Sequence, residues 1–261
     1  MPALIFDCDG VLADTEKDGH LRAFNQTFDY FKLPVSWSVA DYAERLKIGG
    51  GKERLKSLLT PEFIINAKLP SDSEEQSATV AEWHRFKTEI YTELVEQGVM
   101  PARPGIARII NEANEAGWKL AVASTSHEKS VRAVLNHAVG NKLAAKFSIF
   151  AGDIVSKKKP APDIYLLTLE KLAVTADEVI VIEDSNNGLM ASTSAGIRTV
   201  VTVSSFTTEE NFDSASLVIS SLGDHAPGEK TTVLKNPNNL ELLEVVTLND
   251  LNNILKTPPP V

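Results

Sequence analysis

Polar side chains follow three short apolar runs of this sequence. They are Asp7 and Asp9 after residues 3–6, Ser124 after residues 118–123, and Glu183 with Asp184 after residues 179–182. Two carboxylates two residues apart suit a hard cation such as Mg²⁺, which prefers oxygen ligands, and they suit an acid/base pair. A carboxylate can also act as a nucleophile, as in aspartyl-phosphate chemistry. Taken alone, the segment Asp7–Gly10 is explained equally well as a turn capped by an aspartate.

The apolar runs are short and bounded by turn residues, which is typical of strands buried on both faces of a parallel sheet. Shorter or similar runs occur at 147–150, 199–203 and 217–219. Helical spacing lies between them, at 106–113, 131–138, 164–172 and 188–195. Strand and helix in alternation predict a doubly wound α/β domain with a parallel sheet. Since sites in such sheets form at the carboxyl ends of the strands, the polar residues are expected to converge there, which favours a catalytic site over a simple turn.

Residues 16–98 interrupt this alternation. They contain no convincing strand, and apolar residues at helical spacing predict a helix near 21–31 and another near 83–94. Residues 70–79 are polar, as in a loop or an exposed helix start. We therefore predict a helical cap domain at 16–98, inserted into a core domain of residues 1–15 and 99–261.

The C-terminal region is less regular. Residues 225–239 are rich in Pro, Gly and Asn and predict a surface loop, while 248–255 predict a last helix. The prolines at 258–260 predict a frayed end.

Composition limits the classes of partner. The chain has 261 residues, 43% of them hydrophobic, and a net charge of -9. This charge argues against a nucleic acid or an acidic membrane as partner, because both favour a basic face. The one cysteine, Cys8, excludes a disulfide within the chain and fits a reducing compartment. We expect a monomer that binds a small molecule, with no nucleic-acid or membrane partner.

Four segments resemble, in the same order, the four motifs of haloacid dehalogenase (HAD) superfamily phosphatases. They are 7–16 (DCDGVLADTE), Ser124, 159–163 (KPAPD) and 183–188 (EDSNNG). The resemblance covers nearly the whole chain, with only about 225–261 outside it. The gap after the first motif is similar to the helical cap of the beta-phosphoglucomutase-like group.

The resemblance implies roles for the carboxylates. Asp7 would attack phosphorus and become an aspartyl phosphate. Asp9 would protonate the leaving alcohol and then take a proton from water. Mg²⁺ would be held by the Asp7 carboxylate, the Asp9 backbone carbonyl and Asp184, with Glu183 as a further ligand or a supporting partner.

The same resemblance implies roles for the phosphate-binding residues. Lys159 and the metal would neutralise charge on the transferring group. Ser124 and the residues after it, Thr125 and Ser126, would bind phosphoryl oxygens.

A second anion site is predicted in the cap. Glycines 49–51 allow close approach to a ligand, and Lys52 and Arg54 add positive charge at a helix start. The alternative is a flexible turn with both basic side chains in solvent. Within a capped phosphatase we favour the anion site, and Arg132 is a further candidate for the distal phosphate.

Two more cap residues are candidates for substrate binding. Glu16 and His20 lie one turn apart at the start of the predicted first cap helix, where they could bind sugar hydroxyls. For His20 alone, a surface histidine is the alternative.

The segments 14–20, 48–54 and 123–126 are most similar to CbbY-type proteins, sugar-bisphosphate phosphatases of photosynthetic organisms. This resemblance implies hydrolysis of xylulose 1,5-bisphosphate, a Rubisco inhibitor, to xylulose 5-phosphate and phosphate. It implies the plastid stroma for a plant or algal source and the cytoplasm for a bacterial one. The alternatives are a beta-phosphoglucomutase, a phosphoglycolate phosphatase and a non-enzymatic HAD-fold binding protein.

Overall fold

The computed structural model describes residues 1–258. Pro259 and Pro260, for which the sequence predicts a frayed end, lie outside the described residues. The chain divides into two compact units, one of Met1–Asp14 with Pro101–Val261 and one of Thr15–Met100. We refer to them as the sheet unit and the helical unit.

Within residues 1–258, seven strands form one sheet in the sheet unit. They are β1 (Ala3–Phe6), β2 (Lys119–Ser124), β3 (Ser148–Ala151), β4 (Val179–Glu183), β5 (Arg198–Thr202), β6 (Leu217–Ile219) and β7 (Val233–Lys235). The spatial order is β3-β2-β1-β4-β5-β6-β7, and the first six strands are parallel. These six coincide with the predicted apolar runs to within one residue at each end, which confirms the predicted α/β class.

The register of the central strands sets the level of the polar residues. Phe6 at the end of β1 pairs with Val122 of β2 on one side and with Ile182 of β4 on the other. The residue after Phe6, Asp7, is therefore level with Ala123 and Glu183. Every residue of β1 and β4 is buried, as expected for strands covered on both faces.

Strand β7 contradicts the predicted surface loop at 225–239. It pairs antiparallel with β6 and forms one edge of the sheet. Val233 and Leu234 are exposed, so the strand lacks the buried apolar pattern from which strands are recognised in a sequence. Its pairing partner, and not its own composition, determines its structure.

The helical unit contains no strand within residues 15–100, all of which are described. Its elements are a π-helical segment (Glu16–Leu21) and the helices α1 (Arg22–Tyr30), α2 (Val39–Leu46), α3 (Gly51–Lys56), α4 (Pro61–Asn66) and α5 (Ser73–Glu96). Asp72 caps α5 by accepting from the N–H groups of Glu74 and Glu75. The polar stretch 70–79 is therefore a helix start, one of the two predicted alternatives.

The remaining helices belong to the sheet unit. They are α6 (Ile106–Glu115), α7 (Glu128–Val139), α8 (Asn141–Ala144), α9 (Asp163–Leu172), α10 (Asn186–Ser194) and α11 (Leu248–Leu255). Helix α11 has the predicted bounds and buries Leu251 and Ile254 completely. None of the helices described is long and apolar enough to cross a membrane.

Candidate active site

The ammonium group of Lys159 occupies the centre of the polar cluster at the carboxyl ends of the strands. Lys159 lies in the loop between β3 and α9, and its Nζ donates to Asp7 Oδ1 at 2.7 Å and to Glu183 Oε1 at 2.6 Å. A third bond runs to the backbone oxygen of Ala123 at 2.8 Å. Asp7 directly follows β1, whereas Glu183 and Ala123 lie within the carboxyl ends of β4 and β2, and the register places all three at one level. All three of the ammonium hydrogens thus have acceptors.

Tyr165 completes this arrangement from α9. Its hydroxyl donates to Glu183 Oε1 at 2.5 Å, and the Lys159 ammonium lies 4.9 Å from the centre of its ring. Glu183 is wholly buried, and burial of a carboxylate is costly unless it is paired and hydrogen-bonded. Tyr165 and Lys159 meet that requirement.

Two glycines allow the carboxylates to approach this closely. A Cβ on Gly188, in the first turn of α10, would lie 2.0 Å from the carboxylate of Glu183. A Cβ on Gly10 would lie 2.0 Å from Asp184 Oδ2, and Gly10 also has a φ of +77°. Both positions therefore exclude any larger residue while Glu183 and Asp184 remain in place.

Asp9 and the serines after β2 form the accessible side of the cluster. The Ser126 hydroxyl donates to Asp9 Oδ2, and the Ser126 N–H donates to Ser124 Oγ at 3.1 Å. Asp9 is half-buried, whereas Asp7 and Ser124 are buried. Asp9 is thus held by a side chain of the neighbouring loop and still reaches solvent, as a proton carrier requires.

The cluster contains more negative than positive groups. Burial, with smaller contributions from Glu183 and Asp9, raises the pKa of Asp7 from 3.8 to about 8, although Lys159 opposes this rise. Burial disfavours the charged form of Lys159, but Asp7 and Glu183 outweigh it and hold the pKa of Lys159 well above its usual value. One buried cation therefore faces the carboxyl groups of Asp7, Glu183 and Asp184, whose oxygens lie within 4.8 Å of one another.

Comparison with known proteins identifies the family. Residues 1–196 match the model of a family described as haloacid dehalogenase-like hydrolases. The chain belongs to this family. A CBBY-like protein of Arabidopsis thaliana is 46% identical over 226 residues, covering 85% of this chain and 69% of the relative. Protein CbbY of Cupriavidus necator is 42% identical over 239 residues, covering 87% of this chain and 91% of that protein.

A solved structure is similar over most of the chain. It is a point mutant of CbbY from Rhodobacter sphaeroides in complex with xylulose-(1,5)bisphosphate, with 38% identity and a TM-score of 0.74, covering 85% of this chain and 95% of that one. This HAD-like hydrolase is thus placed among the CbbY-like proteins, and it is a phosphatase. The alternative of a non-enzymatic binding protein is thereby excluded.

The helical unit of this hydrolase contains a second polar cluster. The Tyr42 hydroxyl donates to Glu16 Oε2 and accepts from Arg54 Nη1 at 3.0 Å. Arg54 Nε donates to the backbone oxygen of Ile48 at 3.0 Å, and its Nη1 lies 3.7 Å from Glu16. The predicted substrate-binding residues Glu16 and Arg54 are therefore neighbours, joined by a tyrosine that the sequence analysis did not single out.

His20 belongs to a third cluster and is buried, so the surface alternative for this histidine is wrong. Its Nδ1 lies 2.5 Å from Lys87 Nζ, and its ring stacks on Tyr91 with centroids 4.0 Å apart. Since an ammonium group only donates, Nδ1 is the acceptor, and a neutral His20 carries its proton on Nε2. Lys87 also lies over the rings of Phe24 and Tyr91.

Three other residues that are predicted to bind substrate are exposed or half-buried. Lys52 is exposed in the first turn of α3, directly after Gly51. Arg132 is exposed and pairs at 2.7 Å with Glu128 of its own helix. Thr125 is half-buried between the two serines. Their roles stay predictions.

Alanine at Gly10 is predicted to impair catalysis specifically. Gly10→Ala and Gly117→Ala both place a Cβ at a positive φ, which costs about 1–2 kcal/mol of stability. At Gly117 no atom lies within 4 Å of the added Cβ, whereas at Gly10 the Cβ displaces Asp184. We expect kcat to fall by about a hundredfold in Gly10→Ala, because a shift of about 1 Å in a site can cost this much. Steady-state kinetics and thermal melting check this.

Gly117→Ala is the matched control and should lose stability while keeping its kcat. Equal kcat values in the two variants would show that Gly10 is required for its backbone conformation alone.

Proposed function

We propose that this phosphatase is Mg²⁺-dependent and hydrolyses xylulose 1,5-bisphosphate to xylulose 5-phosphate and phosphate through an aspartyl phosphate on Asp7. The observation that carries the proposal is the contact of Lys159 with both Asp7 and Glu183 beside the half-buried Asp9. A solved relative binds the same bisphosphate, which supports this choice of substrate. For a plant or algal source, the activity would remove a Rubisco inhibitor in the plastid stroma.

The reaction would proceed in two displacements. An oxygen of Asp7 attacks phosphorus, the bond from phosphorus to the sugar oxygen breaks, and Asp9 gives its proton to that oxygen. Water then attacks phosphorus and gives a proton to Asp9, and the bond from phosphorus to Asp7 breaks. The Ser126 hydroxyl orients Asp9 in this structure, and Lys159 binds Asp7 Oδ1 so that the nucleophile keeps one orientation.

The donor set fits a magnesium ion. The carboxylate oxygens of Asp7, Glu183 and Asp184 lie within 4.8 Å of one another, and hard oxygen donors are the ligands that Mg²⁺ prefers. Asp7, Asp184 and the backbone oxygen of Asp9 would hold it, with Glu183 as a further ligand or a supporting partner. When bound, Mg²⁺ neutralises charge that develops on the phosphoryl oxygens.

The helical unit, which we propose to act as the substrate cap, would recognise the distal phosphate. Arg54 is held in one orientation by Tyr42 and Ile48, and a preorganised guanidinium suits bidentate binding of phosphate. Glu16 offsets part of its charge, so Lys52 would supply additional positive charge at the start of α3. His20 and Glu16 would bind hydroxyl groups of the sugar.

The substrate assignment is tested by phosphate release with Mg²⁺ from a panel of phosphate esters. The panel contains xylulose 1,5-bisphosphate, ribulose 1,5-bisphosphate, beta-glucose 1-phosphate, phosphoglycolate and fructose 1,6-bisphosphate. We expect the highest kcat/KM for xylulose 1,5-bisphosphate. Asp7→Asn should lower it at least about a thousandfold, because the variant lacks the nucleophile.

Asp29→Asn, at an exposed position of α1, is the matched control and should retain activity. Preference for phosphoglycolate would remove the case for a distal phosphate site at Arg54 and Lys52. Conversion of beta-glucose 1-phosphate without release of phosphate would identify a mutase.

Magnesium affinity is predicted to rise with pH. In the metal-free protein Asp7 has a pKa of about 8, against 3.8 ordinarily, so between these values the folded chain holds a proton that the unfolded chain has lost. The stability of the metal-free protein therefore falls as pH rises through this window. Mg²⁺ displaces that proton, so its affinity should rise about tenfold per pH unit from pH 6 to about 8. Calorimetric titration at several pH values measures this.

Asp7→Asn removes the titrating group and should flatten the pH dependence of any remaining Mg²⁺ affinity. Equal Mg²⁺ affinity of the unsubstituted protein at pH 6 and pH 8 would contradict a protonated Asp7.

A further inference from the structure

Arg103, a residue to which no role is assigned above, makes an unusual set of contacts in the sheet unit. Its Nη1 donates to the backbone oxygens of Gly10 and, at 2.8 Å, Thr202. Its Nη2 donates to the backbone oxygens of Val203 at 2.5 Å and Ser220 at 2.6 Å. The four terminal N–H bonds of the guanidinium are thus matched by four backbone oxygens.

These contacts join the loop of Asp9 to the sheet. The oxygens of Thr202, Val203 and Ser220 lie at the carboxyl ends of β5 and β6, and Gly10 directly follows Asp9. The backbone N–H of Arg103 adds a bond to the oxygen of Leu12 at 3.0 Å. Arg103 therefore fixes the turn after Asp9 at two points.

Gly10 needs such a constraint. Glycine adopts many backbone conformations, and Gly10 has a φ of +77°. Its N–H donates to the oxygen of Ala13 at 2.9 Å, and its oxygen is held by Arg103, so both polar groups of the residue are fixed. The orientation of the adjoining Asp9 depends on this turn.

The shape of the guanidinium, more than its charge, suits Arg103 to this position. Burial lowers the pKa of Arg103, and the nearby carboxylates of Asp184 and Asp14 offset only part of this effect. Lysine could not replace it, because an ammonium group has three hydrogens at one point and cannot reach four separated oxygens.

We propose that Arg103 is a positioning residue for Asp9: by holding the Gly10 oxygen against the ends of β5 and β6, it fixes the carboxyl group that protonates the leaving alcohol. This inference rests on the proposed role of Asp9 as general acid. It assigns to Arg103 an effect on proton donation, and not on attack by Asp7 or on binding of the distal phosphate.

The dependence of kcat/KM on the leaving group distinguishes an effect on proton donation from an effect on attack by Asp7 or on binding of the distal phosphate. An alkoxide leaves only with a proton, whereas p-nitrophenolate is a weak base that leaves without one. The value of kcat/KM reports only steps up to formation of the aspartyl phosphate, so the later role of Asp9 with water does not enter.

The experiment compares kcat/KM of Arg103→Lys with that of the unsubstituted protein on two substrates. They are p-nitrophenyl phosphate and whichever sugar phosphate of the panel the unsubstituted protein hydrolyses best. We expect kcat/KM to fall at least about tenfold for the sugar phosphate and less than about threefold for p-nitrophenyl phosphate.

Arg108 provides the matched control. Its Nη2 donates to the backbone oxygens of Leu222, Gly223 and Val246, away from the Asp9 loop. Arg108→Lys removes a comparable set of contacts and should lower the melting temperature without changing the ratio of the two kcat/KM values. Should Arg103→Lys not fold, Arg103→Gln, which keeps a planar donor, takes its place.

Equal falls for both substrates, or an Arg103 variant with the same substrate ratio as Arg108→Lys, would overturn the proposal. Failure of the proposed function would appear instead in the unsubstituted protein, as absence of phosphate release from every sugar phosphate. In that case the role of Arg103 is tested by the ratio of kcat/KM for a simple alkyl phosphate to kcat/KM for p-nitrophenyl phosphate.

Discussion

The buried ammonium of Lys159 is the interaction on which the rest of the site depends. It joins Asp7, Glu183 and the backbone oxygen of Ala123, which lie at the carboxyl ends of three adjacent parallel strands. Removing one member of a buried charged set leaves its partners unpaired, at a cost of about 3–5 kcal/mol. The parallel sheet brings these residues level, and the charge of Lys159 helps to keep two acidic side chains together in a buried place.

Close packing around this charge explains the glycines of the first and fourth motifs. Gly10 lies against Asp184, and Gly188 lies against Glu183, so that neither position has room for a Cβ. The same closeness makes the site dependent on its supporting backbone. Arg103 holds the Gly10 turn through its guanidinium, and the Ser126 hydroxyl holds Asp9. The reactive carboxylates are thereby preorganised by groups that do not themselves react.

The residue types in the sequence predicted the sheet and the chemistry of the site better than they predicted the contacts that support the site. The buried strands and the carboxylates of Asp7, Asp9, Glu183 and Asp184 were recognisable because apolar runs with acidic residues at their ends recur. Lys159 was recognisable only through the resemblance of residues 159–163 to the third HAD motif. The roles of Tyr165 and Arg103 were not, because Tyr165 lies on an apolar helix face and the partners of Arg103 are backbone oxygens, which have no signature in a sequence. Strand β7 was missed because its side chains are exposed. Tyr42 lies 26 residues from Glu16 and 12 residues from Arg54 in the sequence. Its contacts with both side chains are therefore visible only in the folded helical unit.

Mass spectrometry of the acid-quenched enzyme during turnover tests the central claim most directly. If Asp7 is the nucleophile held by Lys159, the peptide that contains residues 3–12 carries a phosphoryl group on Asp7, and this species disappears in Asp7→Asn. A phosphoryl group on another residue, or turnover by Asp7→Asn at the rate of the unsubstituted protein, would contradict the account.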